Sequence, residues 1–449
     1  MRELRTRGIG ADMTSRSLTS ALARRNVHYG WVVAAVTFLT MLITAGTIGA
    51  PGVFIVPLER EFGWTTSEIS SALALRFLLY GLMGPFAAVL MNRFGVRRIV
   101  LLALGILTVT LVTSLAMTSV SQLLLLWGVG LGIGTGLTAM VLGATVATQW
   151  FSERRGLAMG LLSASTATGQ LVFLPLLASL TEAYGWRIAL CFICAMLVLA
   201  TLLVTLLMCN RPSDIGLAPY GATDIVPHVR PSGGLGELLA SPVLVLMDAM
   251  KSGAFWVLFG TFFICGLSTS GLIQTHFIAL CGDFGLAPVK AASVLALMGV
   301  FDFFGTIGSG WLSDRFDNRW LLFWYYGLRG LSLIYLPFTD FTFYGLSFFA
   351  MFYGLDWIAT VPPTVKLTSR YFGAERTNVV FGWIFAGHQL GAAAAAYGAG
   401  LTRTEWSTYL PAFFIAGAAC LVAALFALSL GKPRRTAVSP TAAFEPDPV

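Results

Sequence analysis

Charge is what this 449-residue sequence has least of: Asp, Glu, Lys and Arg together make up 11% of it, against 57% hydrophobic residues. Soluble domains carry roughly 25% charge. A water-exposed surface on this length of chain is therefore excluded, and with it a soluble enzyme and a disordered scaffold. Cysteine is scarce as well. The six, Cys191, Cys194, Cys209, Cys265, Cys281 and Cys420, are scattered and fall mostly inside apolar runs, where a thiol behaves as a small hydrophobe. That excludes a disulfide-stapled secreted module. Cys191 and Cys194 have the CxxC spacing, but within a lipid-embedded run and without partner ligands, so no metal or redox centre is read there. No HExxH, no Ser-His-Asp constellation and no nucleotide loop occurs, and no cofactor is expected. The net charge of +7 is not a nucleic-acid signal, because in such a chain the placement of Lys and Arg reports orientation.

What is present is apolar length. Mean hydropathy is +0.80, and roughly 20 apolar residues cross a bilayer. Twelve runs are predicted as helices, over 29–57, 68–91, 99–117, 121–149, 157–181 and 187–208, then 253–280, 288–312, 320–338, 342–368, 377–402 and 408–430. The fold class is thus all-α, a polytopic membrane protein of two six-helix bundles. The expected domains are a basic tail (1–28), the first bundle (29–208), a Pro- and Gly-rich linker (209–252), the second bundle (253–430) and a second tail (431–449). The stretch from Leu235 to Met250 is apolar enough to lie along the membrane face and tether the halves. With both termini inside, twenty-one of the 28 basic residues fall in inner connectors or tails and four in outer ones. The positive-inside rule then puts both ends in the cytoplasm, in a cytoplasmic (inner) membrane.

The halves repeat each other. Asn92-Arg93-Phe94 with Arg97 after the second run returns as Asp314-Arg315-Phe316 with Arg319 after the eighth, 222 residues on. Glu153-Arg154, Gly160 and Gly169 return as Glu375-Arg376, Gly382 and Gly391 at the same offset. Over nearly its whole length the sequence resembles the major facilitator superfamily of secondary transporters. Gly310-Trp-Leu-Ser-Asp314-Arg315-Phe-Asp317-Asn-Arg319 is similar to that family's loop signature, whose acid and basic residues form a charge-assisted clasp on the cytoplasmic face. In the first copy the acid is replaced by Asn92. The candidate gating residues are accordingly Asn92, Arg93, Arg97, Asp314, Arg315 and Arg319. A narrower resemblance, to the monocarboxylate porters, rests on Trp150-Phe151-Ser-Glu-Arg154-Arg155-Gly-Leu-Ala-Met-Gly160 and on Tyr29-Gly30-Trp31. Trp127 stands in span four where many proton-coupled facilitators have an Arg.

Ionisable residues at bilayer depth are costly and by default functional. Asp302, Arg329 and Asp356 lie nine to eleven residues from the inner ends of spans eight, nine and ten, so they share one level near the midplane. Arg329 then pairs with Asp302 or Asp356, as packing or as a gate. The resemblance implies a proton site at Asp302, with an Arg one turn later for a carboxylate; here that position is Thr306, and Arg76 of span two is the candidate replacement. His276 and His388 are candidate substrate contacts at membrane depth, since a histidine side chain ordinarily titrates near neutral pH, and His388 joins Asp302 as a candidate for proton coupling. Tyr80, Gln170 and Gln389 complete the candidate substrate contacts. Pro362-Pro363, and Gly46, Gly49, Pro51 and Gly52, mark expected bends. The expectation is a monomeric transporter working by alternating access, moving a small organic anion, a monocarboxylate, together with a proton. Proton-driven efflux of apolar compounds is the alternative within the class. A membrane-embedded enzyme using His276 or His388 is the alternative outside it.

Overall fold

The computed structural model describes residues 24, 27–225, 234–373 and 376–431. Most of both tails, Arg230 of the linker and Glu375 of the second repeat lie outside the described residues. Nine helices among the described residues are long and apolar enough to cross a bilayer. They are α1 (Gly30–Phe62), α2 (Thr66–Phe94), α3 (Val96–Ser114), α4 (Val120–Trp150), α6 (Trp186–Leu207), α8 (Gly253–Asp283), α9 (Pro288–Arg315), α13 (Thr377–Trp406) and α14 (Leu410–Leu428). Between them run α5 (Arg155–Tyr184), α10 (Asn318–Tyr335) and a pair in line, α11 (Phe343–Asp356) and α12 (Val361–Phe372), which complete twelve crossings. The linker contributes α7 (Leu235–Ala249).

Helix boundaries follow from local chemistry. Thr65 opens α2 with a capping box: its hydroxyl accepts from the Glu68 amide at 3.2 Å while the Glu68 carboxylate accepts from the Thr65 amide at 2.8 Å. Ser119 and Gln122 do the same for α4. Gly63, at φ +69°, ends α1 in the left-handed conformation that a side chain disfavours.

The 222-residue offset holds for every helix. Shifted by it, α1 to α6 fall on α8, α9, α10, the α11–α12 pair, α13 and α14, with each end within two residues. The halves meet along two seams, α2 against α13 and α5 against α9. The offset exchanges these two seams, so the contact between bundles has the two-fold character that the repeat demands. At the face opposite the basic connectors, Gly52 of α1 lies against the backbone oxygens of Gln274 and Thr275 of α8, where a side chain would not fit. There too the Ser67 amide donates to Thr404 Oγ1 at 3.1 Å across the halves.

The small residues of spans one and four serve packing. α1 runs unbroken through Gly46, Gly49, Pro51 and Gly52; Gly46 and Gly49 receive Phe173 and Leu174 of α5. In α4, Gly128, Gly132 and Gly136 abut α2 at Leu75, Arg76 and Met83, while Gly130 and Gly134 abut α3 at Thr110 and Leu107. Trp127 is buried between the helices and donates to Ser114 Oγ at 3.1 Å.

On the basic face, α7 lies across the α2–α13 seam as a tether. Asp248 pairs with Arg376 at 2.7 Å and the Pro242 carbonyl accepts from Trp383 Nε1 at 2.8 Å. Tyr29, Trp31, Trp150 and Phe151, far apart in sequence, form one aromatic cluster with Tyr220 of the linker. Trp31 and Phe151 stack edge to face at 4.9 Å, and Tyr220 pairs with Phe151 in a short parallel bridge.

Candidate functional site

Arg76 sits in the middle of α2 with 3% of its surface exposed. Its Nη1 donates to the Ile48 carbonyl at 2.8 Å and its guanidinium lies 4.5 Å from the Phe77 ring centre. Among the described residues no carboxylate pairs with it. A buried cation without a counter-ion is expensive, and the expense falls when an anion arrives. One turn along, the Tyr80 ring meets Phe385 of α13 at 5.9 Å, and Phe385 stacks on His388 at 5.5 Å. Gln389 packs on Gly81 and donates through Nε2 to His388 Nδ1 at 3.2 Å, while its Oε1 is buried without a partner among the described residues. His388 Nε2 reaches Thr269 of α8 at 3.5 Å. Tyr80 and Gln389 thus meet across the α2–α13 seam, with His388 behind Phe385 and against α8, while Arg76, one turn from Tyr80, turns to the α1 backbone. Gln170 is on α5, but its side chain lies outside the described residues.

The second cluster lies in the other half. Arg329 of α10 pairs with Asp356, not with Asp302: Nε to Oδ2 is 2.6 Å, and both side chains are buried. Its Nη2 donates to the Asp356 and Trp357 carbonyls at 2.5 and 3.1 Å, and its Nη1 to Cys265 Sγ at 3.0 Å. Asp302 Oδ1 accepts from Thr306 Oγ1 at 3.1 Å and from the Ile358 amide at 2.9 Å. Span ten, expected to bend at Pro362-Pro363, is broken just before them, over residues 357–360. On the outer side of this cluster a groove of 360 Å³ runs between α10 and α11, lined by Tyr325, Leu328, Ser332, Phe352 and Asp356 among others.

His276 is elsewhere. Fully buried in α8, it sits beside Tyr409, the residue that caps the start of α14 (rings 5.2 Å apart), with Nε2 2.8 Å from the Ala396 carbonyl oxygen. All three helices belong to the second half, so this histidine is packed inside a bundle and away from Arg76 and Asp302. The loop residues also divide. Asp314 pairs with Lys366 of α12, and in the first half Asn92 accepts instead from Gln149 of α4 at 3.2 Å. Arg319 pairs with Asp317 at 2.6 Å and donates to the Leu430 carbonyl at 2.8 Å. The Arg97 amide donates to Asn210 Oδ1 at 2.9 Å. Arg315 covers the Trp311 ring at 3.9 Å and Arg93 the Phe94 ring at 5.9 Å.

Two participants were not found from sequence. Lys366 stands in an apolar run; its place nearly two turns before the inner end of span ten is the available signal. Ser309 of α9, which donates to the Ala359 carbonyl at 2.5 Å, carried none.

Comparison with known proteins follows the same lines. The sequence model of the Major Facilitator Superfamily matches residues 36–396 and, a second time, 283–448. Monocarboxylate transporter 13 of Rattus norvegicus is 26% identical over 87% of the chain and 86% of that protein. Monocarboxylate transporter 12-B of Danio rerio is 24% identical over 90% of the chain and 87% of that protein. Among solved structures, a D-xylose-proton symporter superposes with a TM-score of 0.67 over 90% of the chain and 98% of that structure, at 16% identity, which speaks to fold alone.

Proposed function

Because this chain belongs to the major facilitator superfamily and is a membrane transporter, not an enzyme, we propose that it carries a small organic anion, a monocarboxylate, in company with a proton. The observation that carries this reading is Arg76: a guanidinium at membrane depth, nearly sealed from solvent, with one backbone acceptor and no acidic partner among the described residues. A carboxylate accepts from such a fork with charge-assisted bonds. An apolar efflux substrate would leave it uncompensated. Tyr80, His388 and Gln389 would line the same seam and select the solute's remaining groups. Asp302, held by neutral donors and not by Arg329, would take the proton. The names of the curated relatives support the choice of solute class.

Alternating access follows from the duplicated bundles, 29–208 and 253–430, rocking about the two seams with 209–252 as their tether. The basic asymmetry of the connectors supports placing both ends in the cytoplasm, in the cytoplasmic membrane, and a single chain suffices for the site. The test is uptake of radiolabelled L-lactate and pyruvate into proteoliposomes under an imposed pH gradient. Arg76→Gln is expected to reduce uptake at least 100-fold, and Asp302→Asn to remove its dependence on the gradient. Uptake unchanged in Arg76→Gln, with protein correctly inserted, would overturn the assignment.

A further inference from the structure

The break in span ten can be accounted for group by group. Pro362 and Pro363 have no N–H, so the carbonyls of Ile358 and Ala359 lose the helical donors four residues on. The Val361 amide turns back to the Ile358 carbonyl at 2.9 Å, which strips the Trp357 carbonyl of its own donor. The Trp357 amide takes the Gly354 carbonyl at 3.0 Å, which leaves the Ile358 amide without an acceptor. Buried backbone groups must be paired somewhere. Each of these orphans is met by a side chain from a neighbouring helix: the Trp357 carbonyl by Arg329, the Ala359 carbonyl by Ser309 and the Ile358 amide by Asp302.

The first half offers an internal control. Moved back by 222 residues, Asp302, Arg329 and Asp356 become Tyr80, Leu107 and Gly134, and the two prolines become Met140 and Val141. α4 is interrupted there too, at Thr138 and Ala139, but the Thr138 amide bonds the Thr135 carbonyl at 3.1 Å and the Leu142 amide bonds the Ala139 carbonyl at 2.9 Å. The same crossing is therefore interrupted in both halves; in span four the bonds at the break come from its own backbone and the Thr138 hydroxyl, and in span ten three come from side chains of neighbouring helices. The upper segment α11 is fixed to α9, since Gly354 and Gly305 bring the two backbones into contact. The lower segment α12 is tied to α9 by Lys366 on Asp314 and on the Ser313 carbonyl.

We infer that residues 357–360 are a hinge for α12, and that Asp302, Arg329 and Ser309 are positioning residues that hold it closed by capping its orphaned backbone groups. This goes beyond the transport reading, since it holds whichever solute is carried. It also makes the two bundles unequal: span ten moves against charged clasps, span four against none.

The test is hydrogen–deuterium exchange of the full-length protein in nanodiscs, read on peptides covering 354–361. Asp302→Ala removes the acceptor of the Ile358 amide, and exchange there is expected to rise at least tenfold. Asp302→Asn keeps an oxygen in place and is expected to stay within about threefold of the parent. The pair Pro362→Ala with Pro363→Ala restores two donors; it is expected to slow exchange over 354–361 at least tenfold, and it carries the test alone if Asp302→Ala does not fold. Equal exchange in Asp302→Ala and the parent, equal acceleration in Asp302→Asn and Asp302→Ala, or unchanged exchange in the proline variant would each overturn the hinge. Lactate uptake measured on the same Asp302→Asn preparation separates the two proposals. Loss of gradient dependence without faster exchange supports both, whereas intact gradient dependence with the expected exchange pattern removes only the proton site.

Discussion

Removing Arg329 alone is the sharpest perturbation available in the second bundle. The Arg329→Met variant keeps much of the volume but leaves the Asp356 carboxylate buried and its Oδ2 without the 2.6 Å donor; Oδ1 already has no partner among the described residues. Breaking one side of a buried pair costs about 3–5 kcal/mol. The Asp356 and Trp357 carbonyls lose their charged donor as well, at roughly 1–3 kcal/mol each where water does not enter. The expected loss is therefore about 5 kcal/mol or more, which at roughly 2–4 °C per kcal/mol lowers Tm by ~10–20 °C. Asp356→Asn in the same background removes the stranded charge but not the orphaned carbonyls, so it is expected to recover about half. Thermal unfolding in detergent, followed by tryptophan fluorescence, reads all three. A single variant melting within about 2 °C of the parent, or a double variant worse than Arg329→Met, would refute the reasoning that this arginine serves both a carboxylate and a broken helix.

Three further outcomes follow from the same structure. Lys366→Met and Asp314→Asn each remove a pair whose acid is 72% exposed; Tm is expected to move by less than about 2 °C, and a double-mutant cycle to give a coupling under ~1 kcal/mol. Gly266→Ala places a Cβ on the His388 carbonyl oxygen, an overpacking expected to cost about 1–3 kcal/mol, whereas Gly260→Ala on the same helix meets nothing and is expected to melt at or above the parent. Asp317, in the connector between α9 and α10, is held below the usual carboxylate range by its hydrogen bonds to Arg319. Its stabilisation is therefore present above the unfolded-state pKa and lost as pH falls through the folded one. In Asp317→Asn the acid limb of Tm against pH is expected to flatten, by less than ~1 kcal/mol for a pair at the membrane surface whose acid is 38% exposed.

Fold and repeat were legible because both rest on periodic, local properties. Apolar run length gives the crossings, and an ungapped 222-residue offset found in two loops extends to every helix boundary. Charges at membrane depth were legible as a set for the same reason: a residue's distance from its helix end fixes its level. Partner choice was not. Whether Arg329 takes Asp302 or Asp356 depends on how closely α9, α10 and α11 approach, and Gly305 and Gly354 set that approach without marking themselves among the 48 glycines of the chain. The packing of His276 against Ala396 and Tyr409 was not legible for the converse reason, since depth says nothing of which way a helix face turns. The correspondence of Tyr80 with Asp302 was present in the repeat arithmetic, but it gains meaning only once both sit beside an interrupted helix.

The aromatic cluster at the basic face has a consequence for biosynthesis. Tyr220 accepts the Ser152 and Glu153 amides on its carbonyl and donates its own amide to Trp150, while its ring touches Trp31 and Phe151. The knot that ties the start of α1 to the start of α5 therefore cannot close until residue 220 has emerged from the ribosome, after all six helices of the first bundle have been synthesised.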